Sequence, residues 1–286
     1  MRHTKSPPFF YWFVLPAVVL AAVFLAAMVA LFQYSFREYI PGSIAVGGFT
    51  LGNFARMAKW LYVSIFIDTL TYSALTALFN LLLGYPLAYA LVRSRSTLLK
   101  SAIMIVTISP LFTGDIVRTY AWLIVLGKNG FINSVLRDLG MISQPLEILY
   151  TPLGVVIALV QYSMPVMVII LAAAISHIDV DYERAAASLG ASPLKVFLKV
   201  TLPLSAPGII SGFITIFAWT LSAFATPQLV GGGKVNMISN MVYNMGFSNF
   251  DFPFAAVLSM TALVLTMALL VLIRVSARRL ERIGLH

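Results

Sequence analysis

Residues 179–203 read DVDYERAAASLGASPLKVFLKVTLP, a polar stretch set between two long apolar runs. Asp179, Asp181 and Glu183 open it. Acids there suit a helix N-terminus, where they cap free N–H groups and complement the dipole. Ala185-Ala186-Ala187 then combines high helix propensity with a flat, small-residue surface. Gly190 reads as a stop, since glycine takes the left-handed conformation that ends helices. Ser192-Pro193 restarts, an N-cap followed by proline at the first helical position. Lys195 and Lys199 fall four apart on one face of this second short helix, and Pro203 opens the next apolar run. The stretch predicts a helix, a sharp turn and a second helix, with a small-residue patch on which another protein can dock. A solvated amphipathic connector is the plainer alternative.

Outward from this segment the chain is dominated by apolar residues. Of its 286 residues 60% are hydrophobic and 10% charged, and the mean hydropathy is +0.94. A soluble domain carries about 25% charged residues, so a water-soluble fold is excluded, and so is intrinsic disorder. A membrane crossing needs about 20 apolar residues. Runs of that kind lie near 9–36, 64–92, 101–127, 148–176, 203–230 and 252–273. They predict an all-α membrane protein with six transmembrane helices in one domain, 1–286, and a polar loop at 177–200. Asp68 precedes the second charge-free run and reads as an interfacial cap. The first run is too long for the h-region of a cleavable signal. Outer loops 37–60 and 128–147 contain Gly, Pro and Asn and have room for short surface helices.

Lys and Arg set the orientation. Arg2, Lys5, Arg93, Arg95, Lys100, Arg184, Lys195, Lys199, Arg274, Arg278, Arg279 and Arg282 fall on one side. Arg37, Arg56, Lys59, Lys128, Arg137 and Lys234 fall on the other. This asymmetry predicts cytoplasmic termini and a cytoplasmic 177–200 loop. The net charge of +9 is then an inner-leaflet signature, with no call for nucleic acid. The chain has no cysteine, which removes disulfides, thiolate nucleophiles and cysteine-held metals.

The run 179–203 resembles the cytoplasmic loop signature of ABC-importer permeases: Glu-Ala-Ala, three residues, Gly, nine residues, Ile, any residue, Leu-Pro. Ala185, Ala186, Gly190, Val200 in the Ile slot, Leu202 and Pro203 fall at the required offsets, while Arg184 occupies the Glu slot with Glu183 one residue earlier. Further stretches are similar to the spermidine/putrescine-type permeases. These are Gly84–Tyr89, Arg118–Trp122 continuing through Leu126–Asn133, and Phe224–Pro227 with Gly231-Gly232. The resemblance runs from about residue 60 onward. It implies a type I ABC importer permease fold in the bacterial inner membrane, with Glu183, Arg184, Ala185, Ala186 and Gly190 coupling to an ATP-binding subunit dimer. It also implies a second permease, a different chain in a heterodimer, and a periplasmic solute-binding protein. ATP and magnesium would be bound by the partner ATPase, with no cofactor in this chain. The implied solute is a polyamine; phosphonate, ferric iron and amino-acid-like solutes share parts of these motifs.

Inside the spans an ionisable group is a functional candidate. Asp115 and Arg118 lie three apart and share a helix face, so the acid either attracts a cationic amine or is neutralised by the guanidinium. Ser109-Pro110 and Gly114 predict a break just before them. Tyr120, Trp122 and Trp219, with Tyr72 and Tyr162, offer ring faces to an ammonium, or anchor the helices at the interface. Gly231-Gly232-Gly233-Lys234 is no phosphate loop, because Val235 stands where Ser or Thr must bind magnesium. His3, His177 and His286 lie away from mid-span, so an intramembrane serine protease lacks its base and a metal site lacks ligands. An ion-coupled secondary transporter is the remaining alternative; it would carry its own coupling-ion site near the midplane.

Overall fold

The computed structural model describes residues 8–43 and 45–283. Helix α1 (Pro8–Ser35) leads to a small antiparallel hairpin, β1 (Arg37–Tyr39) and β2 (Val46–Phe49), in which Arg37 pairs with Phe49 and Tyr39 with Val46. A short α2 (Gly52–Met57) precedes the long α3 (Trp60–Arg93). Helix α4 (Thr97–Ile108) tightens into a 3₁₀ turn at Ser109–Phe112 before α5 (Asp115–Leu126) and α6 (Phe131–Asp138). Next come α7 (Pro152–Ser176), α8 (Val180–Ser188) and α9 (Pro193–Val196), a wide helical turn at Phe197–Thr201, α10 (Leu202–Leu204) and α11 (Ala206–Leu221). The chain closes with α12 (Ala225–Val230), α13 (Ile238–Tyr243), a second wide turn at Asn244–Ser248 and α14 (Phe252–Ile283). His3, His286, Arg2 and Lys5 lie outside the described residues, as do the side chains of Arg278, Arg279 and Arg282.

Among the described residues four helices are long and apolar enough to cross a membrane: α1, α3, α7 and α14. Two further pairs of helices reach that test only together, Thr97–Phe112 with Asp115–Asp138 and Pro193–Leu204 with Ala206–Leu221. The count of six holds when each pair is one span. The third span, read from sequence as 101–127, is bent by 112° where Thr113 and Gly114 take extended backbone. The second span starts earlier than its charge-free run suggested. Since α3 begins at Trp60, Asp68 lies two turns inside the helix and is not its cap.

Two compact units divide the chain, residues 1–63 with 241–263, and residues 64–240 with 264–286. In the first, α1 leaves its apolar side chains from Val14 to Val29 largely exposed, as a helix bathed in lipid does. The hairpin is tied to it by Asn53, whose Nδ2 donates to the carbonyls of Ser35 (3.2 Å) and Arg37 (2.8 Å). Arg56 Nη1 reaches the buried Asp251 carboxylate at 2.6 Å and its guanidinium lies over the Phe254 ring. Asp251 also caps α14 by accepting from Phe254 N at 3.0 Å.

In the second unit α7 is central. Met167, Val168, Leu171 and Ile175 pack with Ala77, Tyr85 and Ala88 of α3 and Ile216, Phe217 and Leu221 of α11. Gly208 and Gly212 let α11 approach closely: a Cβ at either would meet Ala174 or Met167 of α7. Small residues four apart are the usual means of close helix packing in lipid. A second cluster gathers Leu126, Val155, Ala158, Leu159, Val230 and Met237. Helix α3 is bonded at four levels. Thr69 Oγ1 accepts from Ile238 N (2.9 Å), and Asn80 Nδ2 donates to Ser163 Oγ (2.8 Å). Tyr85 shares a hydrogen bond with Ser205 (2.7 Å), and Arg93 reaches Glu183.

Candidate functional site

The segment 179–203 folds as its residue types require. Asp179 caps α8 through a hydrogen bond from Asp181 N at 3.0 Å. The helix ends in a double reverse bond: Gly190 N donates to Ala187 O (3.0 Å) and Ala191 N to Ala186 O (3.2 Å). That pattern needs a left-handed residue after the last turn, and Gly190 supplies it with φ of +84°. Pro193 then starts α9, a single turn, and Ser192 stands at the N-cap position without a side-chain cap hydrogen bond. The helix–turn–helix presents Tyr182, Leu189 and Leu194 as exposed apolar side chains, with Leu189 at 89% of its full exposure.

The five residues singled out from the signature divide between two faces. Arg184 is 73% exposed and pairs with Asp181 at 3.0 Å, one helical turn back. Ala185 and Gly190 are exposed as well, and Ala186 is partly covered. Glu183 points the other way. Its Oε1 accepts from Arg93 Nε (3.1 Å) and from Thr201 Oγ1 (2.9 Å), and the acid and Arg93 side chains are each 13% exposed. Arg93 Nη2 donates to Ile178 O at 2.8 Å. The acid therefore fastens α8 to the end of α3 and to the wide turn before α10. Sequence reading missed Arg93 and Thr201 in this role, for nothing local marks a pair so far apart in the chain.

The second candidate lies at the helix break. A cavity of about 570 Å³ is lined by Gly114, Asp115, Tyr162, Trp219, Ser222 and Thr226, with their neighbours. The Asp115 side chain is 61% exposed and accepts from Arg118 Nη2. The Arg118 guanidinium is buried, donates also to Pro110 O (2.9 Å) and lies 4.6 Å from the centre of the Tyr162 ring. Trp219 Nε1 donates to the Tyr162 hydroxyl at 2.9 Å. Asp115 and Trp219 are thus brought to one cavity. Tyr120 is exposed and is not part of its lining. Trp122 donates its indole N–H to Gln161 at 3.1 Å, also outside the lining. Ser222 was not singled out in the sequence, and Thr226 was noticed only within the Phe224–Pro227 stretch, without a role in the cavity. His177 Nδ1 is bonded to Ala173 O at 2.7 Å.

Comparison with known proteins places the chain. It is 34% identical over 232 residues to the spermidine/putrescine transport system permease protein PotB of Salmonella typhimurium, covering 81% of this chain and 80% of that one. Over 206 residues it is 33% identical to the molybdenum transport system permease protein ModB of Mycobacterium bovis, covering 72% and 75%. A chain in the crystal structure of a bacterial alginate ABC transporter, in complex with an alginate pentasaccharide-bound periplasmic protein, matches with a TM-score of 0.81 over 96% of this chain and 95% of its own, at 19% identity. That likeness is one of fold. A family model described as the binding-protein-dependent transport system inner membrane component matches residues 80–282, and the chain belongs to that family.

Proposed function

We propose that this chain is the membrane-spanning subunit of an ATP-driven ABC importer and lines half of a pathway for a polyamine such as spermidine or putrescine. The observation that carries the solute is the 34% identity to a spermidine/putrescine permease over 81% of the chain. The family supports a non-enzymatic transport subunit in the inner membrane. The helix–turn–helix at 179–203 supports coupling. Arg184, Ala185, Ala186 and Gly190 meet the ATPase dimer, Leu189 adds apolar contact, and Glu183 fixes α8 from beneath. ATP and magnesium are held by that partner, with no cofactor in this chain.

Residues 1–286 act as one permease domain with both termini in the cytoplasm, an orientation supported by the Lys/Arg distribution. A periplasmic binding protein delivers solute to the outer face. The cavity at Asp115 and Trp219 is the solute-path element of this chain, with Tyr120 and Trp122 on the same helix further along. Arg118 neutralises Asp115 in part, which supports a different second permease as the source of further negative charge.

A second reading is favoured by one observation. The likeness to a molybdenum permease reaches 33% identity, and a paired Asp115 does not by itself select a cation. In that reading the importer is of the same type and its solute is another small molecule. The test is uptake of labelled spermidine and putrescine by the complete transporter in proteoliposomes with its binding protein. ATP-dependent, saturable uptake unaffected by excess molybdate is the expected result. Uptake of molybdate and of neither amine would overturn the polyamine assignment.

A further inference from the structure

Three stretches of the second unit that the Lys/Arg distribution puts on the outer side meet at a pocket of about 360 Å³. Lys128 comes from just past α5, Glu147 and Tyr150 from the stretch before α7, and Lys234 from the turn after α12. These stretches are tied to one another. Buried Asn133 donates from Nδ2 to Gly127 O and to Leu146 O, both at 3.0 Å, and its Oδ1 accepts from Leu146 N at 2.7 Å. One side chain thus holds the backbone beside Lys128 and the backbone beside Glu147. Tyr150 N donates to Val230 O at 3.0 Å, and its ring lies so close on Gly232 that a Cβ there would overlap it. Tyr150 has φ of +63°, with Gly232 and Gly233 at +55° and +75°. A bulky residue in the left-handed region is strained, and strain of this kind gathers where a binding site is fixed in advance.

The charges in the pocket do not cancel. Lys128 pairs with Glu147, and the positive charge of Lys234 acts on the same carboxylate. Among the described residues Lys234 has no ion pair or hydrogen bond of its own through its ammonium. Two cations therefore share one acid, and all three side chains are exposed. Such a pocket repels a polyamine and has room for one more carboxylate, held by charge-assisted hydrogen bonds. The rim points to what carries that carboxylate. Leu146 and Tyr150 are 43% and 44% exposed; a free inorganic anion gains nothing from an apolar border, whereas a protein surface buries it, and tyrosine is enriched at such interfaces. We propose that this pocket docks an acidic side chain of the periplasmic solute-binding protein, with Lys234 as its first contact and Lys128 as its second. The proposal rests on the importer reading above, to which it adds the place and the charge of the contact.

The test uses the complete transporter in vesicles together with its binding protein. A carbodiimide joins an amine to a carboxylate only where the two touch. In the transporter alone it should join Lys128 to Glu147, which serves as the internal control. With the binding protein added, mass spectrometry should find Lys234 joined to an Asp or Glu of that protein. The control link with no link from Lys234 or Lys128 to the binding protein overturns the inference. In phosphatidylcholine vesicles the affinity for the binding protein should fall about fivefold in Lys234→Gln and lose part of its salt dependence. Lys234→Arg keeps the charge and should stay near wild type. Unchanged affinity in Lys234→Gln overturns the pocket alone, since the importer reading survives it. A loss confined to vesicles containing phosphatidylglycerol assigns the pocket to a lipid headgroup and overturns it too. Failure of the wild-type transporter to bind the protein at all brings down the importer reading and this inference together.

Discussion

The Glu183 carboxylate accepts a hydrogen bond from the Arg93 guanidinium at 3.1 Å, across 90 positions of the chain. With Thr201 on the same oxygen, the acid becomes a three-way joint between α8, the foot of α3 and the turn that leads into α10 and α11. The joint gives the exposed face of α8 a side-chain link to α3, beside the backbone that joins α8 to α7 and α9.

Glu183→Gln should loosen that joint. A charge-assisted hydrogen bond is replaced by a neutral one in a nearly enclosed place, at a cost of about 1–3 kcal/mol. The permease should insert and assemble, while solute-stimulated ATP hydrolysis by the complete transporter falls several-fold. Pairing Arg93→Met with Glu183→Met should recover the thermal midpoint and leave the coupling impaired. Wild-type coupling in the single variant would remove Glu183 from the mechanism.

Gly190→Val acts at the turn. The φ of +84° is costly for a β-branched residue, on the order of 1–2 kcal/mol, and relief of that strain would displace α9. Gly190→Asn, which tolerates the left-handed region, should retain most transport. Equal transport by the Val and Asn variants would show that the turn geometry is dispensable.

Leu189→Glu tests the docking face without touching the fold. The side chain is exposed, so its replacement should change stability by no more than about 0.5 kcal/mol. Co-purification of the ATPase with the permease should nonetheless drop. Full retention of the ATPase would place the contact elsewhere.

Asp115→Asn keeps the shape of the cavity and removes the charge. Polyamine uptake should fall while the ATPase and second permease remain bound. Normal uptake would take Asp115 off the solute path, and loss of assembly would make the Arg118 pair a structural one.

Outside the spans, the hydrogen bond from Lys128 holds the Glu147 carboxyl below its usual range, the nearby positive charges adding to it. A folded-state pKa that is depressed adds stability above the unfolded value and loses it as pH falls through the folded one. The ordinary Glu value is about 4.3, so this pair should leave transport flat from about pH 5 to 8. Lys128→Met should bring the Glu147 titration, followed by carboxyl NMR, back up to the ordinary range.

Composition and apolar runs made the membrane helices legible, because lipid demands long charge-free segments. The turn at Gly190 was legible too, since only a few residue types end one helix and start another. The break at Gly114 could be anticipated, but its angle could not, for it depends on what α5 packs against. Tyr120 and Trp122 looked like companions of Asp115 by proximity in sequence. At 3.6 residues per turn Tyr120 lies about 140° round the helix from the acid, and Trp122 lies about two turns on, where Gln161 takes its N–H. The cavity draws instead on Tyr162 and Trp219 from other helices. The hairpin at 37–49 escaped notice because its strands are three and four residues long, too short to show alternation.

The bonds of Thr69 to Ile238 and of Asn80 to Ser163 leave α3 on one face, while those of Tyr85 to Ser205 and of Arg93 to Glu183 leave it on two others. A rod held from several directions has no free rotation about its own axis, because any twist would break all four bonds together. Tilt and lengthwise travel ask less, since each bond can lean by a few tenths of an ångström. The joint at Glu183 thus leaves α3 freer to tilt or slide than to twist, and the side chains along it keep the compass direction in which the fold has set them.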